Sequence, residues 1–252
     1  MTSVHRVFNF SAGPAMLPVP VLEEVQRDLM ALPGAGMSIL EISHRSRRFE
    51  AILEQAEADI RTLAGMPTNY RVLFLQGGAS LQFSMVPMNL LTGGATADYV
   101  NAGSWGEKAI KEARRVGTVA IAASTKAEHY ARLPRQDELK LTPGAAYVHI
   151  TSNNTIEGTE YHELPEVGGA PLVSDTSSDM FSKPIDVSRH ALIYAGAQKN
   201  MGPAGVTVVI IRDDMLQRSS KSLPTMLSYA VHAEHKSFTT RRRRLPCTRS
   251  DW

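Results

Sequence analysis

Only one cysteine, Cys247, occurs in the 252 residues, which excludes a disulfide framework within the chain and makes a reducing cytoplasm the expected compartment. No run of about 18 apolar residues occurs, so no membrane-spanning helix is expected. The opening MTSVHRVFNFSAGP has no apolar stretch ahead of a small-residue cleavage site, so no targeting segment is expected. The eight histidines form no H-E-x-x-H, and His232 with His235 is an isolated pair, so no metal site is expected. G-x-G-x-x-G is absent, and so is GKS or GKT, which argues against a dinucleotide fold and a P-loop. No internal repeat and no Gly/Ser linker divides the chain.

What is present is ordinary globular composition, 43% hydrophobic and 21% charged, in a length that suits one large domain or two small ones. The formal charge of +2 is misleading. Residues 236–252 carry six of the 27 basic residues and one of the 25 acidic ones, so the other 21 basic and 24 acidic residues leave −3 on the rest. A nucleic-acid partner would rest on that one terminal run, and such runs are commonly tails; none is expected.

Helical spacing appears first at Leu22, Val25 and Leu29 behind Pro20, stopped by Leu32-Pro33-Gly34. A second helix is expected from about Phe49 to Leu63, with Ile52, Leu53, Ala56, Ile60 and Leu63 on one stripe. Short apolar runs then alternate with helical segments. Strands are expected at Val72–Leu75, Asp98–Val100, Val119–Ile121, Ala146–Val148, Pro171–Val173, Leu192–Tyr194 and Val206–Ile211; helices are expected from Ser80 and over Trp105–Val116. Such runs between helices indicate strands buried on both faces of a mainly parallel sheet, an α/β fold.

Three features fall at the carboxyl ends of these strands, where open α/β sheets bind ligands. Gly77-Gly78-Ala79-Ser80 turns from a strand into a helix whose first N–H groups and dipole suit an anion; a plain tight turn is the simpler reading of it alone. Asp175 ends the Leu172-Val173 run, where a desolvated acid wants a cation, either a structural arginine or a protonated pyridine nitrogen. Lys199 follows Ile193-Tyr194-Ala195-Gly196-Ala197, and a lysine there can be a solvated side chain or an amine of lowered pKa. Taken together, a phosphate cradle, a strand-end acid and a lysine are what pyridoxal phosphate requires.

AGAQKN followed by GPAGVTVVI resembles the cofactor-lysine segment of the phosphoserine aminotransferases, a class-V pyridoxal-phosphate family. FNFSAGPAMLP, GMSILEISHRS, FLQGGASLQF, ADYVNAGSW, TSNNTIEG and SDTSSDMFSKPIDVS resemble it too, from residue 7 to about 235. The resemblance implies the large domain of a fold-type I transferase over residues 1–235, with residues 1–16 an N-terminal segment. It implies pyridoxal 5'-phosphate bonded to Lys199, its ring nitrogen on Asp175 and its ring stacked on Trp105. Thr155 would hydrogen-bond the ring hydroxyl, while Ala79, Ser80 and Gln198 would hold the phosphate. His44 and Arg45 would meet substrate anions; without the resemblance they read as a surface basic pair. The activity implied is amino transfer between O-phospho-L-serine and 2-oxoglutarate, yielding glutamate, in serine biosynthesis and also in pyridoxine biosynthesis, by a homodimer. One departure stands inside the motifs: Asn153-Asn154-Thr155, where the family commonly has N-E-T.

The resemblance stops near residue 237. Where the family continues with a segment like SLYNTPPTFA and a smaller C-terminal domain, this chain reads SFTTRRRR and ends at Trp252. One base lost from a GC-rich leucine codon relates the two readings, so the tail is expected to be a frameshift product, disordered and without a partner; sequencing codons 235–252 checks it. Two other functions compete with that reading. A cysteine desulfurase needs a reactive cysteine on a mobile loop, and Cys247 in that tail does not supply it. A shortened remnant that folds partly, or binds cofactor without turnover, is the alternative to a working enzyme.

Overall fold

The computed structural model describes residues 6–235. Its core is a seven-stranded sheet. In chain order the strands are β1 (Tyr70–Leu75), β2 (Thr96–Asn101), β3 (Thr118–Ser124), β4 (Val148–Thr151), β7 (Leu172–Asp175), β8 (Leu192–Gly196) and β9 (Thr207–Arg212); the two-residue strands β5 (Asn153–Asn154) and β6 (Thr159–Glu160) form a separate hairpin. The spatial order is β1-β9-β8-β7-β4-β2-β3. Neighbours from β8 to β3 pair parallel, whereas β9 runs antiparallel to both β8 and β1. The mainly parallel α/β expectation therefore holds, with β9 the one reversed strand.

Among the described residues six α-helices accompany the sheet: α1 (Val19–Met30), α2 (Arg47–Leu63), α3 (Gly78–Leu90), α4 (Ser104–Ala113), α5 (Asp213–Arg218) and α6 (Tyr229–Glu234). Successive strand residues face opposite sides. Tyr99, Tyr147, Val173, Leu192, Tyr194 and Val209 pack with Phe83, Val86, Ala109 and Ile110 of α3 and α4 in one core. Their neighbours Val72, Ile193, Ala195, Val208 and Ile210 pack with Ile60 of α2 in a second, and Val100, Val148, Ile150 and Leu172 build a third. Asn89 ties the end of the described chain to α3. Its amide donates to the carbonyls of Met85 and Leu227, and its oxygen accepts from Ser219 Oγ and Tyr229 N, so this buried polar group is satisfied.

Every apolar run expected as a strand meets one, although β4 begins only at Val148, the last residue of the expected Ala146–Val148, and burial differs at two places. β3 is an edge strand paired among the described residues with β2 alone, so only Ala122 and Ala123 of its seven residues are buried and Ile121 is 37% exposed. On α2, which starts two residues early because Ser46 caps it by accepting from Phe49 N, only Ile60 is buried; Ile52 and Leu63 of the expected stripe are exposed. Helix α1 forms where the spacing puts it, with Pro20 in its first turn, yet buries no residue. The basic tail 236–252, with Cys247, lies outside the described residues.

Candidate active site

The carboxyl ends of β1, β2, β7 and β8 deliver four of the expected groups. β1 runs into Gly77, left-handed at φ 86°, and Gly78, at φ 64°, and α3 begins at once. The first intrahelical bond in that turn is Leu81 N to Gly77 O, so the N–H groups of Gly78, Ala79 and Ser80 precede the helix ladder and point out of its positive end. A Cβ on Gly77 would come within 2.6 Å of the Leu81 side chain, so that turn requires glycine sterically as well as conformationally.

Asp175 is the last residue of β7 and 4% exposed. Its Oδ1 accepts from Ser177 N at 3.0 Å and Ser177 Oγ at 2.6 Å, and Ser177 Oγ in turn accepts from Gly196 N at the end of β8. Burial pushes its pKa up, while the Ser177 hydrogen bonds and the Lys199 charge pull the other way. No ion pair to Asp175 occurs among the described residues. It is a buried acid held in one orientation by two donors, with a cation still to be met.

Lys199 lies in the turn after β8 and is half-buried. Its Nζ donates to Thr155 Oγ1 at 2.5 Å and sits 4.8 Å from the centre of the Trp105 ring. Burial lowers its pKa, with Asp175 and Asp179 opposing, so more of it is free amine at neutral pH than for an ordinary lysine. Thr155 occupies the turn of the β5–β6 hairpin and Trp105 the first turn of α4, so two distant segments converge on one amine. The buried indole Nε1 has no hydrogen-bond partner.

The structure thus brings Lys199, Trp105 and Thr155 together, with Asp175 near enough to act on the lysine's charge; Ala79 and Ser80 open the α3 turn and Gln198 precedes the lysine. His44 and Arg45 instead sit in an exposed turn ahead of α2, where Ser43 Oγ accepts from Arg45 N. Three residues with clear roles in this geometry were not among the sequence candidates. Ser177 orients Asp175. Gly13 lets the N-terminal segment cross Lys199, since a Cβ there would meet Lys199 Cγ at 2.9 Å, and Ala15 N beside it donates to Gln198 O. Glu157 accepts from both Ser104 N at 2.8 Å and Ser104 Oγ at 2.5 Å. Ser177 sits two residues beyond Asp175 in an Asx-turn spacing that can be read locally; the other two act across 186 and 53 residues and carry no local signal.

The donor set fits pyridoxal phosphate. It offers an anion cradle at a helix start, a buried acid lacking a cation, an aromatic face, a hydroxyl and an amine of lowered pKa. Among the described residues no group of three or more His, Cys, Asp or Glu could hold a metal ion, and no helix is long and apolar enough to cross a membrane.

The Aminotransferase class-V family profile matches residues 7–243. A curated phosphoserine aminotransferase of Desulfatibacillum aliphaticivorans is 54% identical over 234 residues, 92% of this chain and 64% of the relative. The solved phosphoserine aminotransferase of Bacillus circulans subsp. alkalophilus superposes with a TM-score of 0.91 at 50% identity, covering 94% of this chain and 65% of that one. A PLP-bound phosphoserine aminotransferase from Trichomonas vaginalis gives 0.87 at 37% identity, covering 94% and 66%. The chain spans about 64% of the length of the curated relatives it matches.

Proposed function

Because the chain belongs to the class-V aminotransferase family, we propose that it binds pyridoxal phosphate on Lys199 and carries the large-domain half of a phosphoserine aminotransferase site. The observation that carries this reading is the Lys199 amine, half-buried, bonded to Thr155 and set against the Trp105 face. The bound cofactor supplies an electron sink for the pair left when an amino acid loses its α-proton. Asp175, kept buried and oriented by Ser177, holds the proton on the cofactor's ring nitrogen. The N–H groups opening α3, with Gln198, hold its phosphate, and Trp105 excludes water from one ring face. Lys199 Nζ would take up the substrate α-proton and return it; its lowered pKa suits both duties.

The substrates proposed are O-phospho-L-serine and 2-oxoglutarate, with phosphohydroxythreonine a further candidate, and His44 and Arg45 the anion-binding pair. Assembly as a homodimer and a cytoplasmic location belong to the same reading. The exposed apolar side chains of residues 7–40 support an assembly of that kind.

The test is borohydride reduction of cofactor-treated protein and mapping of the modified lysine, with phosphoserine turnover measured in parallel. Label on Lys199 is expected, and Lys199→Ala should abolish the bound-cofactor absorbance. Label elsewhere would sink the assignment. Label on Lys199 without turnover would identify a cofactor-binding remnant.

A further inference from the structure

Trp105 can serve as a ring platform only if the first turn of α4 is fixed, and that turn is fixed from outside the helix. Its N-cap, Gly103, has no side chain with which to cap it. The missing acceptor comes from Glu157 in the β5–β6 hairpin, whose Oε1 takes both the N–H and the hydroxyl of Ser104. A carboxylate there also meets the positive end of the helix dipole. Three residues further along, Lys108 Nζ lies 4.1 Å from the Trp105 ring centre and packs over the indole from its own helix.

The packing beside this contact is unusually tight. A Cβ on Gly103 would come within 2.4 Å of Asn154 Oδ1 and 2.8 Å of Glu157 Oε2. Backbone strain is not the reason for glycine, since φ is 171°; the space is taken by two side-chain oxygens. Both oxygens are buried and neither accepts a hydrogen bond. Asn154 spends its amide on Thr159 Oγ1 at 3.3 Å instead. The hairpin therefore presses a carboxylate and an amide against the α4 start, and the same hairpin carries Thr155, which holds Lys199.

We propose that Glu157 is a positioning residue for the Trp105 platform, clamping the start of α4 to the hairpin that holds Lys199 so that ring face and amine keep a fixed spacing. The inference rests on the cofactor reading above, and it is tested separately from it. The protein has two tryptophans, Trp105 and Trp252, so the full chain carrying Trp252→Phe has Trp105 as its sole indole reporter.

In that background, Glu157→Ala, Glu157→Gln and Gly103→Ala are compared by acrylamide quenching and near-ultraviolet circular dichroism without cofactor, then by titration with pyridoxal phosphate. Glu157→Ala and Gly103→Ala should raise the quenching constant and flatten the Trp105 dichroism. Glu157→Gln should stay near the parent, because its amide oxygen still accepts from Ser104 and its NH2 can donate to Asn154 Oδ1. The cofactor Kd should rise about tenfold in Glu157→Ala, the scale of a lost helix cap, and stay near the parent in Glu157→Gln.

Parent-like quenching and dichroism in Glu157→Ala, even with a lowered urea midpoint, would overturn the proposal, since the residue would then be structural only. If Glu157→Ala does not fold, Gly103→Ala decides on the same criterion. If the parent takes up no cofactor, the functional reading fails while the cofactor-free measurements still decide the role of Glu157.

Discussion

Two apolar regions of this chain meet opposite fates. In the sheet, Tyr194, Ile193, Ile210 and Leu192 are at most 1% exposed. In residues 7–40, twelve large hydrophobic side chains are open to solvent, among them Phe8 at 89%, Phe10 at 92% and Leu40 at 80%; only six others are found in the rest of the described chain. Both regions have the spacing of regular structure, and both form it. The difference lies in what stands opposite. Each central strand is covered on both faces, whereas among the described residues nothing buries the Leu22–Val25–Leu29 stripe of α1. A helix of 12 residues is marginal in water without tertiary cover. Periodicity specifies the element; a partner surface decides whether the element is worth anything in stability.

The largest expected effect separates the two regions by mutation. Ile210→Ala should cost about 2–5 kcal/mol through lost burial and the cavity left behind, whereas Val25→Ala on α1 should change stability by no more than about 0.5 kcal/mol. Urea unfolding of both variants measures the gap, and equal midpoints would erase the comparison.

Acid should act on the sheet region next. His149 is buried between Tyr99 and Tyr194, bonded through Nε2 to Tyr194 Oη, and burial holds its pKa down at about 3; burial likewise lowers His190 to about 4. Both are depressed below the ordinary 6.5, so the unfolded chain binds their protons first. Their contribution is intact above pH 6.5 and is lost as pH falls toward 4, by up to about 1.4 kcal/mol per pH unit for each histidine. His149→Phe should flatten the midpoint-against-pH curve in that window. An unchanged slope would mean that His149 is not held neutral.

Ser46 lies between the two regions and caps α2. Ser46→Ala should cost about 1 kcal/mol, read from the unfolding midpoint. A smaller loss would show that α2, with Ile60 alone buried, behaves like α1. The smallest effect in stability is expected for Leu22→Ser and Leu29→Ser together. They should leave the urea midpoint in place and reduce light scattering at high concentration, because they break an exposed apolar patch. Amide exchange adds a direct view: α1 should exchange far faster than β8.

How far the sequence could be read follows the same line. Asp175, Lys199 and the Gly77-Gly78 turn were legible because each sits at the end of an apolar run, and a strand end is a local fact. Trp105 was reached by resemblance to a family; its place at the start of a helix is only compatible with that. Direction was not: nothing in Val206–Ile211 distinguishes an antiparallel β9 from a parallel strand, since alternation is the same either way. Nor could it tell that β3 would lie at an edge, because edge position depends on which strands pair. The contacts of Gly13 with Lys199 and of Glu157 with Ser104 are encoded only in the closed fold. Thr155 was reached by resemblance to a family, not by chemistry visible in its neighbours.

The reversed strand has a consequence for how the chain is made. Among the described residues β1, at residues 70–75, has only one neighbour in the sheet, and that neighbour is β9, at residues 207–212. A ribosome adding roughly 5–20 residues per second leaves β1 without its partner for on the order of ten seconds. During that time Val72, Leu73 and Leu75 must be shielded by α2, by α3 or by a chaperone. The cradle that follows β1 is therefore synthesised early but fixed late, after Lys199 itself has emerged. Stalled nascent chains long enough to release residue 200 but not residue 212 from the exit tunnel should be cut by protease within residues 70–78, and chains that have released residue 235 should resist.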